Sequence, residues 1–432
     1  MKSFEQEDYQ KFIFPYGERK IEVKIPLRNA PQILKIKEPK GLSNETGEIL
    51  RAIQNPLKSE PLKNLLKPRS KVALIISDIT RPVPNHKIVP CILDELSKVP
   101  VPLNNITMIV ATGMHRANTE NELKSMLGKK VVEKIKIINH DSLNSDNLTS
   151  FGETSYGTPL EINKIVAGAD VNIATGYIEP HEFAGFTGGR KSILPGVSGI
   201  ETIKRNHRPE MIDHPKAKIG ILKGNPIHED MVEGAEIVGL DFIINVILNS
   251  RKEIVKVLAG DFYHAHLEGV EYYRRYAAPD IVKRADIVIA SSGYPLDGDL
   301  YQSIKSVISS ESFVNEGGVI ILLTESRDGL GPGIFGKWMR TITSLDEVAP
   351  RIRKEGYSPE LDHCYLLAKI LRKLKLIIVT QNPSVRSIKF SKRLQTTSSI
   401  DKALKIALAE KGQEASIIGL PYAPRFVVKG DK

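Results

Sequence analysis

A run of aliphatic residues passes directly into polar residues at positions 72–82, which read VALIISDITRP. An apolar run of this length, rich in Val and Ile and closed by Ser, Asp and Pro, is typical of a strand buried on both faces of a sheet. Similar runs recur along the chain, at residues 106–111, 135–139 and 171–175. Longer stretches with helical spacing separate them, as at 90–98 and 119–130. This alternation predicts an α/β fold with a mostly parallel sheet.

The pattern changes after the first series of strands, where we expect a domain boundary. Residues 265–283 have the spacing of a helix that leads out of the first unit and is interrupted at 277–279. A second series of apolar runs follows, at residues 287–290, 319–324, 376–380 and 415–420. The last run could belong to either unit. We therefore predict two domains, 1–275 and 276–432, each built on a mostly parallel sheet with flanking helices.

The composition argues against several broad classes of protein. Of the 432 residues, 41% are hydrophobic and 26% are charged, and no apolar stretch approaches the roughly 18 residues of a membrane span. The opening residues, MKSFEQEDYQ, lack the apolar core of a signal peptide, so we expect a cytoplasmic protein without a membrane partner. The net charge of +10 is spread over scattered lysines and arginines without a nucleic-acid-binding motif. We therefore expect an anionic small substrate and no nucleic-acid partner.

The two cysteines, Cys91 and Cys364, lie far apart in the chain. Their spacing forms neither a disulfide framework nor a thiolate metal site. A metal bound by this chain would therefore take histidine, carboxylate or cofactor atoms as ligands.

Polar clusters follow the predicted strands at the points where those strands end. The sequence SDITRP occupies residues 77–82, ATGMHR occupies 111–116, and a third cluster follows the strand at 171–175. In a parallel sheet, the loops that leave the carboxyl ends of the strands form the ligand crevice. We therefore expect these loops to meet at one edge of the sheet.

The third cluster is the densest segment of the chain: residues 176–196 read GYIEPHEFAGFTGGRKSILPG. Its five glycines permit a ligand to approach the backbone closely, and the backbone N–H groups could bind a single phosphate. The segment is not a nucleoside triphosphate loop of the form G-x-x-x-x-G-K-[ST]. Counting from Gly185 places Arg190 where that motif needs its second glycine.

Histidine is scarce, with ten residues in the chain, yet His115, His181 and His207 lie in or near these loops. An imidazole with a pKa of about 6.5 can accept or donate a proton near neutrality, and it can bind a metal. We interpret these three histidines as functional. Five others are interpreted as surface residues: His214, His228, His264, His266 and His363.

Taken together, these motifs resemble those of the nickel-dependent lactate racemase family. The motifs keep the family's order and spacing, and the similarity extends over nearly the whole chain. They are Ser77-Asp78-x-Thr80-Arg81-Pro82, Ala111-Thr112-Gly113-x-His115-Arg116, Glu179-Pro180-His181, Gly185-Phe186-x-Gly188-Gly189-x-Lys191, Pro195-Gly196, Asn206-His207 and Tyr301-Gln302-x-x-Lys305.

The resemblance implies a tethered cofactor, the nickel-pincer nucleotide, which is a pyridinium thioamide/thiocarboxylate mononucleotide. Lys191 would carry it through a thioamide, and His207 would be the one protein ligand of the nickel. Four further residues are implied to contact the nucleotide: Asp78, Thr80, Gly188 and Gly189. The resemblance also implies separate enzymes that make the cofactor, so protein produced in a foreign host could lack it.

The reaction implied by the resemblance is inversion of C2 in a 2-hydroxy acid by reversible hydride transfer. The chain would then be an isomerase of the racemase or epimerase class, with His115 and His181 as the acid/base pair. The implied substrate-binding residues are Arg81, Tyr301, Gln302 and Lys305, of which the last three share one face of a predicted helix. An arginine offers a planar fork suited to a carboxylate. The second domain is expected to close over the cleft that holds the active site.

One position departs from the family's pattern. Members that act on lactate often carry a tryptophan near the active site in the second domain, where this chain has Tyr365, and its one tryptophan, Trp338, lies too early. A phenol changes the shape of the substrate pocket and could contact a larger or more polar substrate, so Tyr365 is our remaining substrate-binding candidate.

Several alternatives stay open at this point. One is a same-family enzyme that acts on malate, a longer or aromatic 2-hydroxy acid, or a sugar acid. Another is a non-catalytic protein that binds an anionic ligand with the same loops, although simple binding needs no acid/base pair. A nicotinamide-dependent dehydrogenase is disfavoured, because no G-x-G-x-x-G motif follows an early strand.

Overall fold

The computed structural model describes residues 8–279, 283–355 and 360–427. Its strands are, in chain order, β1 (Tyr9–Tyr16), β2 (Arg19–Pro26), β3 (Gln32–Ile33), β4 (Val72–Ser77), β5 (Ile106–Ala111), β6 (Lys136–Asn139), β7 (Leu148–Glu153), β8 (Pro159–Asn163), β9 (Val171–Tyr177), β10 (Pro180–His181), β11 (Gly185–Phe186), β12 (Phe242–Leu248), β13 (Ile254–Gly260), β14 (Ala285–Ser291), β15 (Val314–Leu323), β16 (Lys375–Val379), β17 (Leu394–Thr397) and β18 (Ile417–Leu420). Its α-helices are α1 (Glu45–Gln54), α2 (Leu62–Leu65), α3 (Asn85–Ser97), α4 (Glu120–Leu127), α5 (Lys129–Lys134), α6 (Lys164–Ala167), α7 (Ile200–Asn206), α8 (Pro209–Ile212), α9 (Pro226–Val238), α10 (His264–Ala277), α11 (Leu300–Ser310), α12 (Gly333–Thr341), α13 (Val348–Glu355), α14 (Leu361–Lys373), α15 (Pro383–Arg386) and α16 (Ile400–Lys411).

The chain divides into two compact units. The central unit runs from Lys37 to Tyr276, and the terminal unit combines the chain up to Ile36 with the chain from Ala277 onward. The predicted boundary near residue 276 coincides with one of these divisions. The helix expected at 265–283 is α10, which ends at Ala277, and the predicted residues 280–282 lie outside the described residues.

The start of the chain belongs to the terminal unit, which corrects the predicted domain of residues 1–275. The short strand β3 pairs with β18. Phe14, on the β1–β2 hairpin, packs in the same apolar core as Ile287 and Ile321. These contacts join residues that are far apart in sequence, and the hydrophobic pattern of the first 36 residues alone carries no information about that partner.

The central unit is built on a six-stranded sheet with the order β13-β12-β9-β4-β5-β6. Neighbouring strands are parallel except for β12 and β13. Strands β9 and β12 are buried at every position, as expected when helices cover both faces of a sheet. The chain first winds from β4 out to β6 and then returns through β9 on the other side of β4. Such a reversal opens a crevice at the carboxyl ends of the strands.

The terminal unit contains a second six-stranded sheet, with the order β17-β16-β15-β14-β18-β3 and parallel pairing throughout. The last apolar run of the sequence, which could have joined either unit, is β18 and pairs with β14. The predicted α/β class with two mostly parallel sheets is confirmed.

Flanking helices bury one side against these sheets. For example, α3 places Ile88, Val89 and Ile92 in the core of the central unit, and each such buried side chain contributes roughly 1.5–3 kcal/mol. In the part of the chain that the structure describes, no helix has the length and apolar composition needed to cross a membrane.

Candidate active site

The loops that leave β4, β5 and β9 lie side by side, because these three strands are neighbours in the central sheet. They comprise residues 78–82, 112–116 and 178–187. The loop after β5 is also hydrogen-bonded to the end of the glycine-rich segment 176–196, since the Gly113 N–H donates to the Gly196 carbonyl at 3.0 Å. The structure therefore brings the three predicted loops to one edge of the sheet.

His115 is paired with Asp78 at this edge. Its Nδ1 lies 2.6 Å from Asp78 Oδ2, while Asp78 Oδ1 accepts from the N–H and hydroxyl of Thr80 at 2.9 and 2.5 Å. Burial acts to raise the pKa of Asp78, but the contacts with His115 and Thr80 and the charge of Arg81 outweigh it, so this pKa lies below its ordinary value. Asp78 is therefore a charged partner of His115.

Asp78 and Thr80, which the resemblance assigns to the nucleotide, contact each other, and Asp78 contacts His115, while their role toward the nucleotide stays a prediction. Asp78 is 3% exposed, and both of its carboxylate oxygens are engaged by protein groups. Thr80 is exposed but directs its hydroxyl to Asp78. Through Asp78 they hold His115, whose side chain is 48% exposed.

Arg81 is partly buried among acidic groups of the same loops. Burial acts to lower the pKa of its guanidinium, but the surrounding groups outweigh this effect and raise that pKa. These groups are Tyr177, Asp78, Glu179 and Glu182. Arg81 is therefore charged, and carboxylates of the protein already offset that charge.

Tyr177, at the end of β9, stays protonated. Burial raises the pKa of its phenol well above the ordinary value, and Glu179 adds to this effect. The hydroxyl donates to the Glu179 carboxylate. Thr187 closes the loop, because its hydroxyl donates to the Tyr177 carbonyl at 2.8 Å and its N–H donates to the Glu179 carbonyl at 2.9 Å.

His181 lies in a tight turn formed by β10 and β11, where it is opposite Gly185. Its Nδ1 is 3.3 Å from the Ala184 N–H and 3.4 Å from a carboxylate oxygen of Glu182. An Nδ1 without a proton accepts from Ala184, whereas an Nδ1 with a proton faces Glu182. The side chain is 15% exposed. Either protonation state of Nδ1 therefore finds a matching partner.

The ring of Phe183 contacts the rings of both His181 and His207. Its centre lies 4.7 Å from that of His181 and 5.0 Å from that of His207, with interplanar angles of 81° and 82°. Phe183 is 3% exposed. Two predicted functional histidines thus contact the same buried aromatic ring.

His207 directly follows α7 and is 5% exposed. Its Nδ1 is buried and has no hydrogen-bond partner among the described residues. Burial, together with the positive charge of Lys191, lowers the pKa of His207 to about 3, so the imidazole is neutral. A buried ring nitrogen without a partner is costly, and coordination of a metal would satisfy it.

Gly188 and Gly189 contact side chains of the protein itself. The Gly189 N–H donates to Asn245 Oδ1 at 2.8 Å, and a Cβ on Gly188 would lie 2.6 Å from the same oxygen. A Cβ on Gly189 would meet His266 at 3.1 Å. The Lys191 N–H donates to the Gly188 carbonyl at 3.2 Å. The Gly189 amide is therefore engaged by Asn245, and the assignment of Gly188 and Gly189 to the nucleotide stays a prediction.

Arg190, which directly precedes Lys191, is buried and only 1% exposed. Its guanidinium donates to the carbonyls of Gly188 and Ala184 at 3.2 and 2.8 Å and lies 3.0 Å from His266 Nε2. Burial lowers the pKa of Arg190 to about 9. Its hydrogen bonds join the turn that bears His181, at Ala184, to Gly188, which directly precedes the 3₁₀ segment that bears Lys191.

Three of the histidines expected at the surface are buried. His228, His266 and His363 are 4%, 1% and 2% exposed, whereas His214 and His264 are exposed as predicted. The prediction rested on the absence of neighbouring motifs. Burial of a histidine depends on tertiary packing, which those motifs do not report.

In the terminal unit, Tyr301, Gln302 and Lys305 lie in the first turns of α11. All three are partly exposed, while their helical neighbours Ser303 and Ile304 are buried, so they share the side of the helix that their spacing predicts. The helix begins at Asp299, whose carboxylate accepts from the Gln302 N–H at 2.7 Å.

Two side chains of α14 have different surroundings. The ring of His363 lies 4.2 Å from the ring of Tyr301. Tyr365, the predicted substrate contact, is partly exposed, and Lys369 Nζ lies 5.9 Å from its ring centre. The aromatic contact with Tyr301 therefore comes from His363, a residue that the sequence placed at the surface.

Some site residues that were left unassigned could have been proposed from the sequence, and others could not. Glu179, Glu182 and Phe183 lie within the segment already singled out, and the two carboxylates flank His181 closely in sequence. They could have been proposed as partners of that histidine. His363 and Asn245 gave no such signal, because their partners are remote in sequence.

Comparison with protein families gives matches over most of the chain. Residues 16–220 match the family described as Lactate racemase N-terminal domain, and residues 281–426 match the Lactate racemase C-terminal domain. A lactate racemase of Thermoanaerobacterium thermosaccharolyticum is 37% identical over 421 residues, which cover 96% of this chain and 98% of the relative. A lactate racemase of Lactiplantibacillus plantarum is 34% identical over 427 residues, covering 96% and 99%.

Solved structures agree with these matches. The lactate racemase apoprotein from Thermoanaerobacterium thermosaccharolyticum aligns with a TM-score of 0.90 at 36% identity, covering 98% of this chain and 100% of that one. A protein from Thermotoga maritima aligns with a TM-score of 0.67 at 17% identity, covering 92% and 100%, and it shows a likeness of fold alone.

Proposed function

The chain belongs to the lactate racemase family, and from this premise we propose that it interconverts the two enantiomers of lactate by inverting C2. One observation supports this most directly. Two imidazoles at one edge of the central sheet each have Nδ1 beside a carboxylate, His115 with Asp78 at 2.6 Å and His181 with Glu182 at 3.4 Å. A reversible inversion needs two such groups, because each enantiomer requires its own proton acceptor.

The chemistry of inversion defines what the histidines must do. The hydrogen on C2 leaves with its electron pair while the hydroxyl proton is removed, which gives a planar 2-keto acid. Both then return, with the hydride on the opposite face of the plane. We assign removal and return of the proton to Nε2 of His115 for one enantiomer and to Nε2 of His181 for the other.

The carboxylates select the form of each histidine that can act as a base. Nε2 can accept a proton when Nδ1 carries one, and a carboxylate next to Nδ1 favours that tautomer. Asp78 also stabilises the imidazolium that forms on His115, as Glu182 does for His181. The Ala184 N–H favours the other tautomer of His181, so Glu182 is needed to keep that histidine competent.

Substrate binding is assigned to the residues that the resemblance implies. We propose that Arg81, Lys305, Gln302, Tyr301 and Tyr365 bind the hydroxy acid, as the resemblance implies. Because the carboxylates around Arg81 already offset its charge, a second cation is needed to neutralise the carboxylate of the substrate. Lys305 is the cation that the resemblance supplies.

The described residues fit the nickel-pincer nucleotide that the resemblance implies. The buried Nδ1 of His207 without a partner is a suitable ligand, since imidazole binds nickel(II) well. Lys191, whose charge acts on His207, would carry the tether on the short 3₁₀ segment Gly189–Ser192. When bound, this group supplies a reversible acceptor for the hydride of C2.

The proposal is tested on the chain produced together with the cofactor-making enzymes. Intact-mass measurement should show an adduct on Lys191, and a chiral assay should show conversion of either enantiomer of lactate to the racemic mixture. An active preparation with an unmodified chain would rule out the tethered cofactor.

A panel of 2-hydroxy acids extends the assay to malate, longer and aromatic acids and sugar acids. Turnover of one of these without turnover of lactate would correct the substrate but leave the reaction class. No turnover of any acid by the nickel-loaded protein would favour the non-catalytic anion-binding alternative.

A further inference from the structure

The side chain of Tyr301 is held between two other helices of the terminal unit. Its ring centre lies 5.3 Å from that of Phe335 on α12, at an interplanar angle of 75°. The ring centre of His363 on α14 lies 4.2 Å from that of Tyr301, at an interplanar angle of 32°. Phe335 and His363 are both buried, at 0% and 2% exposure. Tyr301 therefore has little freedom to change rotamer.

His363 also binds the main chain of Tyr301. Its Nδ1 donates to the Tyr301 carbonyl at 2.9 Å, and because a carbonyl oxygen can only accept, Nδ1 carries the proton. In an α-helix this carbonyl also accepts the amide four residues later, which here belongs to Lys305. One imidazole thus fixes both the ring of Tyr301 and the turn of α11 that leads to Lys305.

The imidazole of His363 contacts α11 from the buried interior of the terminal unit. Tyr301, Gln302 and Lys305 are partly exposed, whereas His363 is buried on the side of α14 that meets α11. It therefore contacts Tyr301 without being placed to contact a substrate.

We propose that His363 is a positioning residue that fixes Tyr301 and, through it, the substrate-facing side of α11. The inference rests on the proposed function, in which Tyr301, Gln302 and Lys305 bind the hydroxy acid. Histidine suits this role because its imidazole provides a flat ring and a donor at Nδ1 together. Phenylalanine provides the ring alone, and asparagine provides a donor near the place of Nδ1 alone.

Two variants separate these contributions. His363→Phe keeps the ring contact and leaves the Tyr301 carbonyl without its side-chain donor, so we expect KM for lactate to rise on the order of tenfold. His363→Asn keeps the donor and loses the ring, and we expect a smaller rise, about threefold. In both variants kcat and the mass of the Lys191 adduct should stay close to those of the wild type.

Leu371→Ala is the matched control. Leu371 lies on the same helix and is 0% exposed, so its truncation lowers thermal stability without touching Tyr301. A merely structural role for His363 predicts that all three variants lower Tm and leave KM unchanged, and that result would overturn the inference. If His363→Phe does not fold, the KM of His363→Asn decides alone. A wild-type protein that turns over no hydroxy acid contradicts the proposed function instead, so the two failures are distinguishable.

Discussion

Nδ1 of His115 lies 2.6 Å from Oδ2 of Asp78, and the carboxylate is buried while the imidazole is about half exposed. Asp78→Asn keeps the shape of this side chain but removes the charge that stabilises the imidazolium. Its amide nitrogen also favours the tautomer with the proton on Nε2, which cannot act as a base. We expect kcat for racemisation to fall by about 10²–10⁴-fold, measured by steady-state kinetics at equal Lys191 adduct.

Thr80→Val is the control for that substitution. It removes the hydroxyl that donates to Asp78 Oδ1 at 2.5 Å but leaves the carboxylate charge in place. We expect kcat to fall by less than about tenfold. Equal losses in the two variants would mean that the charge of Asp78 has no part in proton transfer.

The same pair makes the stability of the fold depend on pH. Burial acts to raise the pKa of Asp78, but His115, Thr80 and Arg81 lower it overall. Because the folded pKa lies below the unfolded value of about 3.9, Asp78 stabilises the fold above that value, and the contribution is lost as pH falls through the folded pKa. The difference in free energy of unfolding between wild type and Asp78→Asn should therefore be full near about pH 6 and shrink below about pH 4. Urea unfolding across this range measures it, and a constant difference would contradict the assignment.

Much of the fold follows from periodicity, because buried parallel strands leave long apolar runs. The runs predicted at 72–77 and 106–111 coincide with β4 and β5. The pieces that were not predicted depend on remote partners. The β1–β2 hairpin and β3 belong to the terminal unit through contacts with residues beyond position 276, and no local pattern encodes such a pairing.

The same distinction between local patterns and remote partners applies to the candidate site. Its loops could be predicted, because strand ends and polar clusters are local features of the sequence. The partners within it could not, since they are set by packing. Asn245 on β12 accepts from the Gly189 N–H, and the ring of His363 on α14 contacts that of Tyr301 on α11. The group that approaches the backbone closely at Gly188 is the side chain of Asn245, and a ligand against this backbone stays a prediction.

Phe183 provides a further prediction, because its ring contacts those of both His181 and His207. Phe183→Ala removes a buried ring, which costs about 3–5 kcal/mol of stability, and leaves the two imidazoles without a common support. We expect kcat to fall by at least about tenfold and the nickel content per Lys191 adduct to fall as well. Metal analysis and kinetics on the same preparation measure both.

Phe242→Ala is the control for lost packing, since Phe242 is a fully buried ring on β12 of the same unit. Its cost in stability should be similar, with kcat and nickel content retained in the folded fraction. If both variants lose nickel equally, global loosening rather than the spacing of His181 and His207 explains the effect.

Gly188 and Gly128 form a matched pair for testing what the glycine-rich segment requires. Their backbones are alike, with φ 84° and ψ 179° at Gly188 and φ 82° and ψ 147° at Gly128. A Cβ at Gly128 meets nothing within 4 Å, whereas one at Gly188 would lie 2.6 Å from Asn245 Oδ1 and 3.0 Å from the Tyr177 carbonyl.

Gly128→Ala therefore isolates backbone strain, and we expect it to lower the free energy of unfolding by about 1–3 kcal/mol. Gly188→Ala should cost at least about 1 kcal/mol more in urea unfolding, because Asn245 must shift. Gly188→Ala should also reduce the fraction of chain that carries the Lys191 adduct. Equal effects of the two substitutions on stability and on the adduct would show that Asn245 does not determine the backbone conformation at Gly188.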